Sequence, residues 1–287
     1  MQIDNVKYNN LFVTNIDDIF KILMEEEIIF LYDTVSISHH EVAFKRHEEN
    51  LLKTYSRNHP IILTESIIKE LRMEEDTDRR YENFLKEFPL VIGIAEEDFP
   101  ILLEKVFQSP QHVFAKCRDS AVTAFQSIYE LSLLFKQQIN YPDILNIYHE
   151  YFNENDNKGE YSLLWLSVIS RMVNPSLNVH FVGMDRDLYS IVYHYYYRTD
   201  SLEQQLRKSR GSVEIVSTDS LLYGLTNQDT FTKEVVEDLC TIYRKPERKV
   251  IYKKVKLGIP SHNLHEGQFN NISFIAASYQ REIVVVY

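Results

Sequence analysis

The chain has 287 residues, of which 44% are hydrophobic, 25% charged and 13% aromatic, a balance typical of a folded globular protein. Its 31 basic and 42 acidic residues leave a net charge of −11, which argues against a general nucleic-acid binder that works by counterion release alone. A nuclease is not excluded, because an enzyme that holds divalent cations concentrates carboxylates at its site.

Several other classes of protein are also excluded. The first residues are polar and lack the apolar segment of a signal peptide, and apolar runs such as 28–32 are too short to span a membrane. Cys117 and Cys240 stand alone, which favours a reducing compartment, so we expect a cytoplasmic protein without a membrane partner. The sequence contains no Gly-rich GxGxxG or GxxxxGK[ST] pattern for nucleotide phosphates, and no GxSxG or HExxH.

The first half of the chain predicts two short strands, each followed by a helix. Residues 28–32 (IIFLY) form a continuous apolar run typical of a strand that is buried on both faces. A helical pattern follows over 35–53. Residues 61–63 predict the second strand, and Thr64 is the predicted N-cap of a helix over 65–75.

Residues from about 79 to 152 are helical in pattern and interrupted by prolines, which we interpret as a helical insertion. The elements predicted after it alternate: a helix over 160–172, a strand over 179–182, a helix over 185–197, a strand over 213–216 and a helix that opens at Thr218. This alternation predicts an α/β fold with a parallel sheet flanked by helices. The pattern then predicts a main domain over 1–228 and a small, β-rich C-terminal appendage over 229–287.

Four acidic residues are the candidates for chemistry, because ligands of parallel sheets bind at the carboxyl ends of the strands. Asp33 ends the first strand and Asp185 follows the strand over 179–182, while Glu70 and Glu160 lie in neighbouring helices. Any one of them alone is explained as a helix cap or a solvated residue. Several carboxylates held together repel one another, and are tolerated mainly when Mg²⁺ or Mn²⁺ neutralises them. Two such ions about 4 Å apart can activate a water and stabilise the leaving oxygen of a phosphodiester.

The motifs around these acids resemble those of the PIN-domain nuclease family. They are IIFLYDTVSI with Asp33, Thr34 and Ser36, IILTESIIKEL with Glu70, KGEYSLLWLSVISRM with Glu160, and VHFVGMDRDLYSI with Asp185 and its neighbour Asp187. The strand VEIVS and the helix TDSLL resemble the closing unit of the family, so the resemblance covers about residues 28 to 226. Two features depart from the family's pattern: 89 residues separate Glu70 from Glu160, and residue 160 is a glutamate where aspartate is commoner.

The resemblance implies a PIN-like sheet and a divalent-metal-dependent endoribonuclease. It implies that Mg²⁺ or Mn²⁺ is held by Asp33, Glu70, Glu160 and Asp185, with Asp187 as a further ligand, and that a metal-bound water attacks the phosphorus of RNA. Some family members have lost catalysis and serve as scaffolds, and related flap-type enzymes act on DNA. A scaffold for a protein or RNA partner and a nuclease for single-stranded or flap DNA therefore stay open, as do a homo-oligomer and an inhibitory protein partner.

Some candidate ligands have local alternatives. Asp187 either binds a metal or caps the helix that begins beside it, and Thr34 and Ser36 either contact a phosphate or cap the helix after Asp33. Glu65 precedes Glu70 by five residues, about 140° around a helix, so only one of them can face the site. Glu65 is better explained by the helix dipole.

Other polar residues have simpler explanations than metal binding. Asp219 follows Thr218 in a capping sequence and indicates an ordinary helix start. His39, His40 and His47 lie on the helix after the first strand, and His40 and His47 are seven residues apart on one face of it. Because no third ligand occurs at a spacing that matches this pair, a zinc site is not favoured.

A basic segment over 244–256 (RKPERKVIYKKVK) carries seven basic residues and one acid. Its lysines either protect the solvent face of an edge strand from aggregation or track an RNA backbone, with Tyr243 and Tyr252 available to stack bases. A smaller basic group over 207–210 extends it. The candidate substrate-binding residues of the segment are Arg244, Lys245, Arg248, Lys249, Lys253 and Lys254.

Overall fold

The computed structural model describes residues 10–47, 50–56, 58–73, 79–198, 211–228, 231–245 and 247–287. It confirms the predicted α/β fold class: a six-stranded parallel sheet is flanked by helices, and a small antiparallel sheet lies toward the C-terminus. Over the described ranges, no helix combines the length and the apolar character needed to cross a membrane.

The elements of the fold follow in chain order. The main sheet contains β1 (Phe12–Val13), β2 (Ile28–Tyr32), β3 (Ile61–Thr64), β4 (Val91–Ile94), β5 (Asn178–Val182) and β6 (Val213–Val216). Its helices are α1 (Ile16–Glu25), α2 (Thr34–His47), α3 (Leu51–Ser56), α4 (Glu65–Glu70), α5 (Glu82–Leu85), α6 (Phe99–Glu104), α7 (Pro110–Ala124), α8 (Tyr129–Lys136), α9 (Tyr141–Glu154), α10 (Lys158–Val173), α11 (Arg186–Arg198) and α12 (Thr218–Thr226). The C-terminal appendage contains α13 (Lys233–Tyr243), β7 (Glu247–Lys256), β8 (Ile259–Pro260), β9 (His265–Asn270), α14 (Asn271–Tyr279) and β10 (Ile283–Val285).

The strand order of the main sheet is β1-β4-β3-β2-β5-β6, and every pairing in it is parallel. From β2 the chain adds β3 and β4 on one side and later returns to place β5 on the other side. The carboxyl ends of β2 and β5 therefore flank the point where the strand order reverses, which is where open α/β sheets bind ligands.

Helix α10 is the centre of the hydrophobic core. Within this helix only Lys158 and Met172 are not buried, as expected of a sequence that is apolar on all sides. One side of α10 packs on β2, β3 and α4, and the other packs on α6 and α7. The indole of Trp165 donates to Ser120 Oγ at 2.9 Å and meets the rings of Phe99 and Phe125 edge-on. The helical insertion thus covers the outer side of α10.

The insertion also contains a strand of the sheet. Strand β4 (VIGI) lies inside the region over 79–152 that was predicted to be helical, and β1 was not predicted either. Four apolar residues are too few for periodicity to distinguish a strand from a buried helical segment. Pairing with β3 decides the conformation of β4.

The other predicted elements are confirmed with changes at their ends. Thr64 is the N-cap of α4, and its side chain accepts from the Ile67 amide. The helix predicted over 35–53 is two helices, α2 and α3, with residues 48–49 outside the described part of the chain. The helix predicted over 65–75 ends at Glu70, and residues 74–75 also lie outside the described part.

Strand β7 lies at the centre of the small sheet rather than at its edge. It pairs antiparallel with β9 along one side and with β10 along the other, and forms a hairpin with β8. The interpretation of its lysines as protection for an edge strand is therefore wrong. The appendage also contains a helix, α14, which its apolar sequence did not distinguish from a strand.

A buried group of charges fixes the appendage to the main sheet. Asp219, on the first turn of α12, lies 2.5 Å from Arg244 Nε through Oδ1 and 2.9 Å from Arg248 Nε through Oδ2. The side chains of Asp219 and Arg244 are fully buried. Arg244 also donates to Asn271 Oδ1 and to the Phe269 carbonyl, both at 2.8 Å. Asp219 is thus the counter-ion of two arginines, in addition to beginning a helix.

We predict that Asp219→Leu destabilises the protein more than Arg244→Met. The first change leaves two arginines without their carboxylate, and the loss of one partner from a buried ion pair costs about 3–5 kcal/mol. The second change leaves the Asp219–Arg248 pair intact. Urea unfolding followed by circular dichroism measures both costs, and an equal or larger cost for Arg244→Met would contradict the prediction.

Candidate functional site

Two predicted acids lie side by side at the point where the strand order reverses. Strands β2 and β5 pair in register from Ile28 and Asn178 to Tyr32 and Val182. Asp33 follows β2 directly, and its amide donates to the Val182 carbonyl at 2.9 Å. Asp185 follows the same end of β5 after two further residues.

Each of these aspartates also caps a helix. The Val35 amide donates to Asp33 Oδ2 at 3.2 Å, and the Asp187 amide donates to Asp185 Oδ1 at 3.1 Å. Capping accounts for one oxygen of each carboxylate. The other oxygen of Asp33, Oδ1, belongs to a side chain with no exposed surface, and among the described residues no donor meets it in hydrogen-bonding geometry. Since an unsatisfied buried carboxylate oxygen is costly, capping does not explain Asp33.

Glu70 links three elements around this point. Its Oε2 accepts from Thr34 Oγ1 at 2.6 Å, and its Oε1 accepts from the Gly159 amide at 2.8 Å. The side chain of Asn157, the residue before α10, makes no cap hydrogen bond. Glu70 takes over part of this capping role, because it accepts from the Gly159 amide in the first turn of the helix. A Cβ at position 159 would lie 2.6 Å from Ile67 Cδ1 and 2.7 Å from Glu70 Oε2, so a larger residue here would displace the ends of these two side chains.

Burial and mutual repulsion raise the pKa values of two of the acids. The pKa of Asp33 is raised from 3.8 to about 7, first by burial and then by the charge of Glu70, with a smaller effect of Asp185. The pKa of Glu160 is raised from 4.5 to about 8 by burial and by the charges of Asp33, Glu70 and Asp185. The structure thus brings the four acids into one electrostatic group, which we call the carboxylate cluster.

The carboxylate cluster is not arranged as a formed coordination sphere. In the described ranges of the chain, no group of three or more His, Cys, Asp or Glu side chains is placed to hold a metal ion. Glu70 is turned toward Thr34 and Gly159, and Asp185 toward the amide of the next helix. Repulsion between carboxylates favours such a spread. The oxygen chemistry of the cluster fits Mg²⁺ or Mn²⁺, but coordination requires Glu70 to turn away from Thr34.

The remaining predicted residues near the cluster have mixed positions. Thr34 holds Glu70, as described above. Ser36 is fully buried, and no residue that the structure describes forms a hydrogen bond with its hydroxyl. Asp187 is exposed on the first turn of α11 and contacts Asp185 through its amide. Metal binding by Asp187 and phosphate contact by the two hydroxyls stay predictions.

The appendage reaches the cluster through two side chains. The Tyr287 hydroxyl donates to the Asp185 carbonyl, and its ring lies 4.8 Å from that of Tyr189. Arg248 Nη2 donates to the Met184 carbonyl at 2.9 Å. Burial raises the pKa of Tyr287, and the charges of Asp33 and Asp185 add to the rise, which shows how near this ring lies to the cluster. No local signal in the sequence associates Tyr287 with the strand ends.

The basic segment does not form one exposed stripe. Arg244 is buried in the ion pair with Asp219, so the prediction that it contacts a substrate is wrong. Arg248 is 13% exposed and is held by Asp219 and the Met184 carbonyl. Successive residues of a strand face opposite sides, which separates Lys253 from Lys254. Substrate contact stays a prediction for the exposed or half-buried lysines, namely Lys245, Lys249, Lys253 and Lys254.

Three other predictions concern residues that are internal or lie outside the described part of the chain. Tyr243, expected to stack bases, is fully buried, and its hydroxyl accepts from the Leu51 amide at 3.2 Å. His40 contacts the Tyr32 hydroxyl and Thr218 Oγ1, and burial lowers its pKa to about 3. The basic group over 207–210 lies outside the described residues.

Glu96 is a site residue that the sequence analysis missed. It lies just after β4, is fully buried, and accepts through Oε1 from the hydroxyls of Ser66 and Ser162, both at 2.5 Å. These serines belong to α4 and α10, the helices that carry Glu70 and Glu160. Glu96 thus ties together the two helices. An acid directly after a short apolar run, VIGIAE, was the available signal, but it requires β4 to be recognised as a strand.

No family model matches the chain, and neither curated proteins nor solved structures yield a match. The resemblance to the PIN-domain family therefore stays a prediction that depends on the four motifs.

We predict that the stability of the metal-free protein falls between pH 5 and about 8, and that Asp33→Asn reduces this fall. A carboxyl whose pKa is raised in the folded state contributes stability that is complete below its unfolded pKa and is lost as pH rises through the folded value, about 7 for Asp33. The loss attributable to this group is on the order of 3 kcal/mol. Urea unfolding in EDTA across this range measures it.

The exposed residue Asp238 provides the control for this experiment. Asp238→Asn is expected to follow the wild-type pH dependence. If the free energy of unfolding depends on pH in the same way for the wild type and Asp33→Asn, the pKa of Asp33 is not raised in the folded protein.

Proposed function

We propose that the protein is a divalent-metal-dependent endoribonuclease that hydrolyses RNA phosphodiester bonds. The observation that carries this proposal is the position of Asp33. Its carboxylate is fully buried, has an oxygen that no donor in the described ranges satisfies, and feels the charges of other acids where the strand order of a parallel sheet reverses.

A cation explains this arrangement better than structural roles do. The pKa values of about 7 and about 8 show that the anionic forms of Asp33 and Glu160 are unfavourable without compensation. Protonation can relieve the repulsion, but it leaves no reason for four acids from separate elements to meet. A hard divalent cation neutralises the carboxylates and uses the free Asp33 oxygen.

The chain's own residues have distinct roles in this proposal. Asp33, Glu70, Glu160 and Asp185 hold the cation, which when bound supplies Lewis acidity toward phosphoryl oxygens and lowers the pKa of a water. In the absence of the cation, Thr34 and the Gly159 amide hold Glu70, and the bond to Thr34 is the one that would be given up on coordination.

The appendage supports the β5 side of the site. Tyr287 and Arg248 fix the carbonyls of Asp185 and Met184, so they hold the segment that carries Asp185. The choice of RNA as the substrate is supported by the resemblance of the four motifs to the PIN-domain family. A cytoplasmic location is supported by the two cysteines, which are both free.

We predict that purified protein cuts labelled single-stranded RNA in Mn²⁺ and that EDTA stops the reaction. Asp33→Asn and Glu160→Gln should each lower the rate by roughly 100-fold or more, because each removes charge that holds the cation. The control Asp238→Asn should keep the wild-type rate. Parallel reactions with single-stranded and flap DNA test the alternative substrates.

Thermal unfolding separates the enzyme from a silent scaffold. Mn²⁺ should raise the melting temperature of the wild type and of Asp238→Asn but not of Asp33→Asn, since a ligand that binds only the folded state stabilises it. If Mn²⁺ neither stabilises the wild type nor supports cleavage of any of the three substrates, the nuclease proposal fails and a non-catalytic scaffold is favoured.

A further inference from the structure

Lys158 is a half-buried cation at the rim of the carboxylate cluster. It is the first residue of α10 and directly precedes Gly159, whose amide binds Glu70. Its Nζ donates to His149 Nδ1 at 3.1 Å and lies 5.4 Å from the centre of the Tyr148 ring. Among the described residues no carboxylate lies within ion-pair distance of this ammonium. Burial lowers the pKa of Lys158, and the more distant charges of Glu96, Glu65 and Glu70 oppose that lowering.

The partners of Lys158 do not neutralise it. Burial and the charge of Lys158 lower the pKa of His149, so the imidazole is a neutral acceptor. Because Nδ1 accepts from Lys158, the neutral ring carries its proton on Nε2, which is a second donor. A second cation lies nearby: Lys69, which is paired with Glu65 at 2.9 Å, also acts electrostatically on Lys158.

The backbone at Lys158 is firmly placed. The Tyr148 hydroxyl lies 3.3 Å from the Lys158 carbonyl and 3.0 Å from Ser66 Oγ, which in turn donates to Glu96. The hydrogen bonds that join α4 to α10 thus also fix the backbone from which the Lys158 side chain extends. A partly desolvated charge without a counter-ion is costly, and an anionic ligand offsets that cost.

The substrate of the proposed reaction needs a cation at this place. A phosphodiester chain is repelled by a carboxylate cluster and by a protein with a net charge of −11. Arg244 and Arg248 cannot supply the compensation, because Asp219 holds both. Lys158 directly precedes Gly159, whose amide binds Glu70, and no ion pair within the described part of the chain cancels its charge.

We infer that Lys158 and His149 form a binding site for a phosphate group at the rim of the carboxylate cluster. This inference rests on the proposed function, in which the bound group is a backbone phosphate next to the phosphodiester that is cut. Free phosphate offers the same oxygens to Lys158 Nζ and His149 Nε2, so the two sources share one chemistry and must be separated by experiment.

The test compares Lys158→Met, Lys158→Arg and a control, Lys136→Met, at an exposed position on α8. Methionine keeps an unbranched side chain beside Tyr148 and removes the charge, whereas arginine keeps the charge. Matching circular dichroism spectra and melting temperatures establish that all three variants fold. Binding of a short fluorescent single-stranded RNA is measured by anisotropy at several KCl concentrations, in EDTA so that no cleavage occurs.

We expect Lys158→Met to weaken RNA binding roughly 5- to 20-fold and to reduce the slope of log K against log salt by about 0.7, the value for one phosphate contact on a single strand. Lys158→Arg should restore most of the affinity, and Lys136→Met should match the wild type. In cleavage assays with Mn²⁺, Lys158→Met should raise KM with little change in kcat, as expected of a positioning residue. Wild-type affinity and slope for Lys158→Met would overturn the inference.

A second arm uses inorganic phosphate as the probe. If phosphate raises the melting temperature of the wild type but not of Lys158→Met, and RNA binding is the same in both, the site takes free phosphate rather than a polynucleotide. If the wild type binds neither probe, the inference fails. RNA binding that depends on Lys158, without any cleavage in Mn²⁺, would refute the nuclease proposal and leave the phosphate site standing.

Discussion

Repulsion among four carboxylates at the carboxyl edge of the main sheet is the constraint to which the surrounding structure responds. Asp33 and Glu160 are buried, and their pKa values of about 7 and about 8 show how unfavourable their charged forms are. Carboxylates that repel one another move apart unless other bonds hold together the helices and strands on which they lie. Glu70 bridges α2 and α10, and Glu96 bridges α4 and α10 through two serine hydroxyls. These hydrogen bonds join α2, α4 and α10 to one another when no cation is bound.

The helical insertion also helps to hold Glu160 in the cluster, because it covers α10. Helix α10 brings Glu160 to the cluster, and a helix with apolar residues on every side needs cover on every side. The sheet covers one side of α10, and the insertion covers the other through contacts such as those of Trp165 with Phe99 and Phe125. The length between Glu70 and Glu160 is thus explained by burial of α10, apart from any role in binding a substrate.

The net charge of −11 does not show which charges are exposed, and the ion pairs of the structure supply that information. Both arginines of the basic segment are paired with Asp219, which neutralises them and fixes the appendage to the sheet. Lys158 lies outside that segment, directly before the glycine that binds Glu70, and the phosphate site inferred above depends on it. Affinity for nucleic acid in this protein is accordingly expected to depend on a few local contacts rather than on a broad basic surface.

The sequence by itself determined the α/β class, most strands and helices, and the acids that end strands, because these depend on local periodicity and on the residues that follow an apolar run. Tertiary structure alone decided that VIGI is a strand, that β7 is central, that Arg244 is internal, and that Glu96 and Tyr287 lie at the site. Each of these depends on which distant segment supplies a partner. A local pattern predicts that a side chain is buried or charged. The residue that pairs with that side chain lies far along the chain, so only the tertiary structure identifies it.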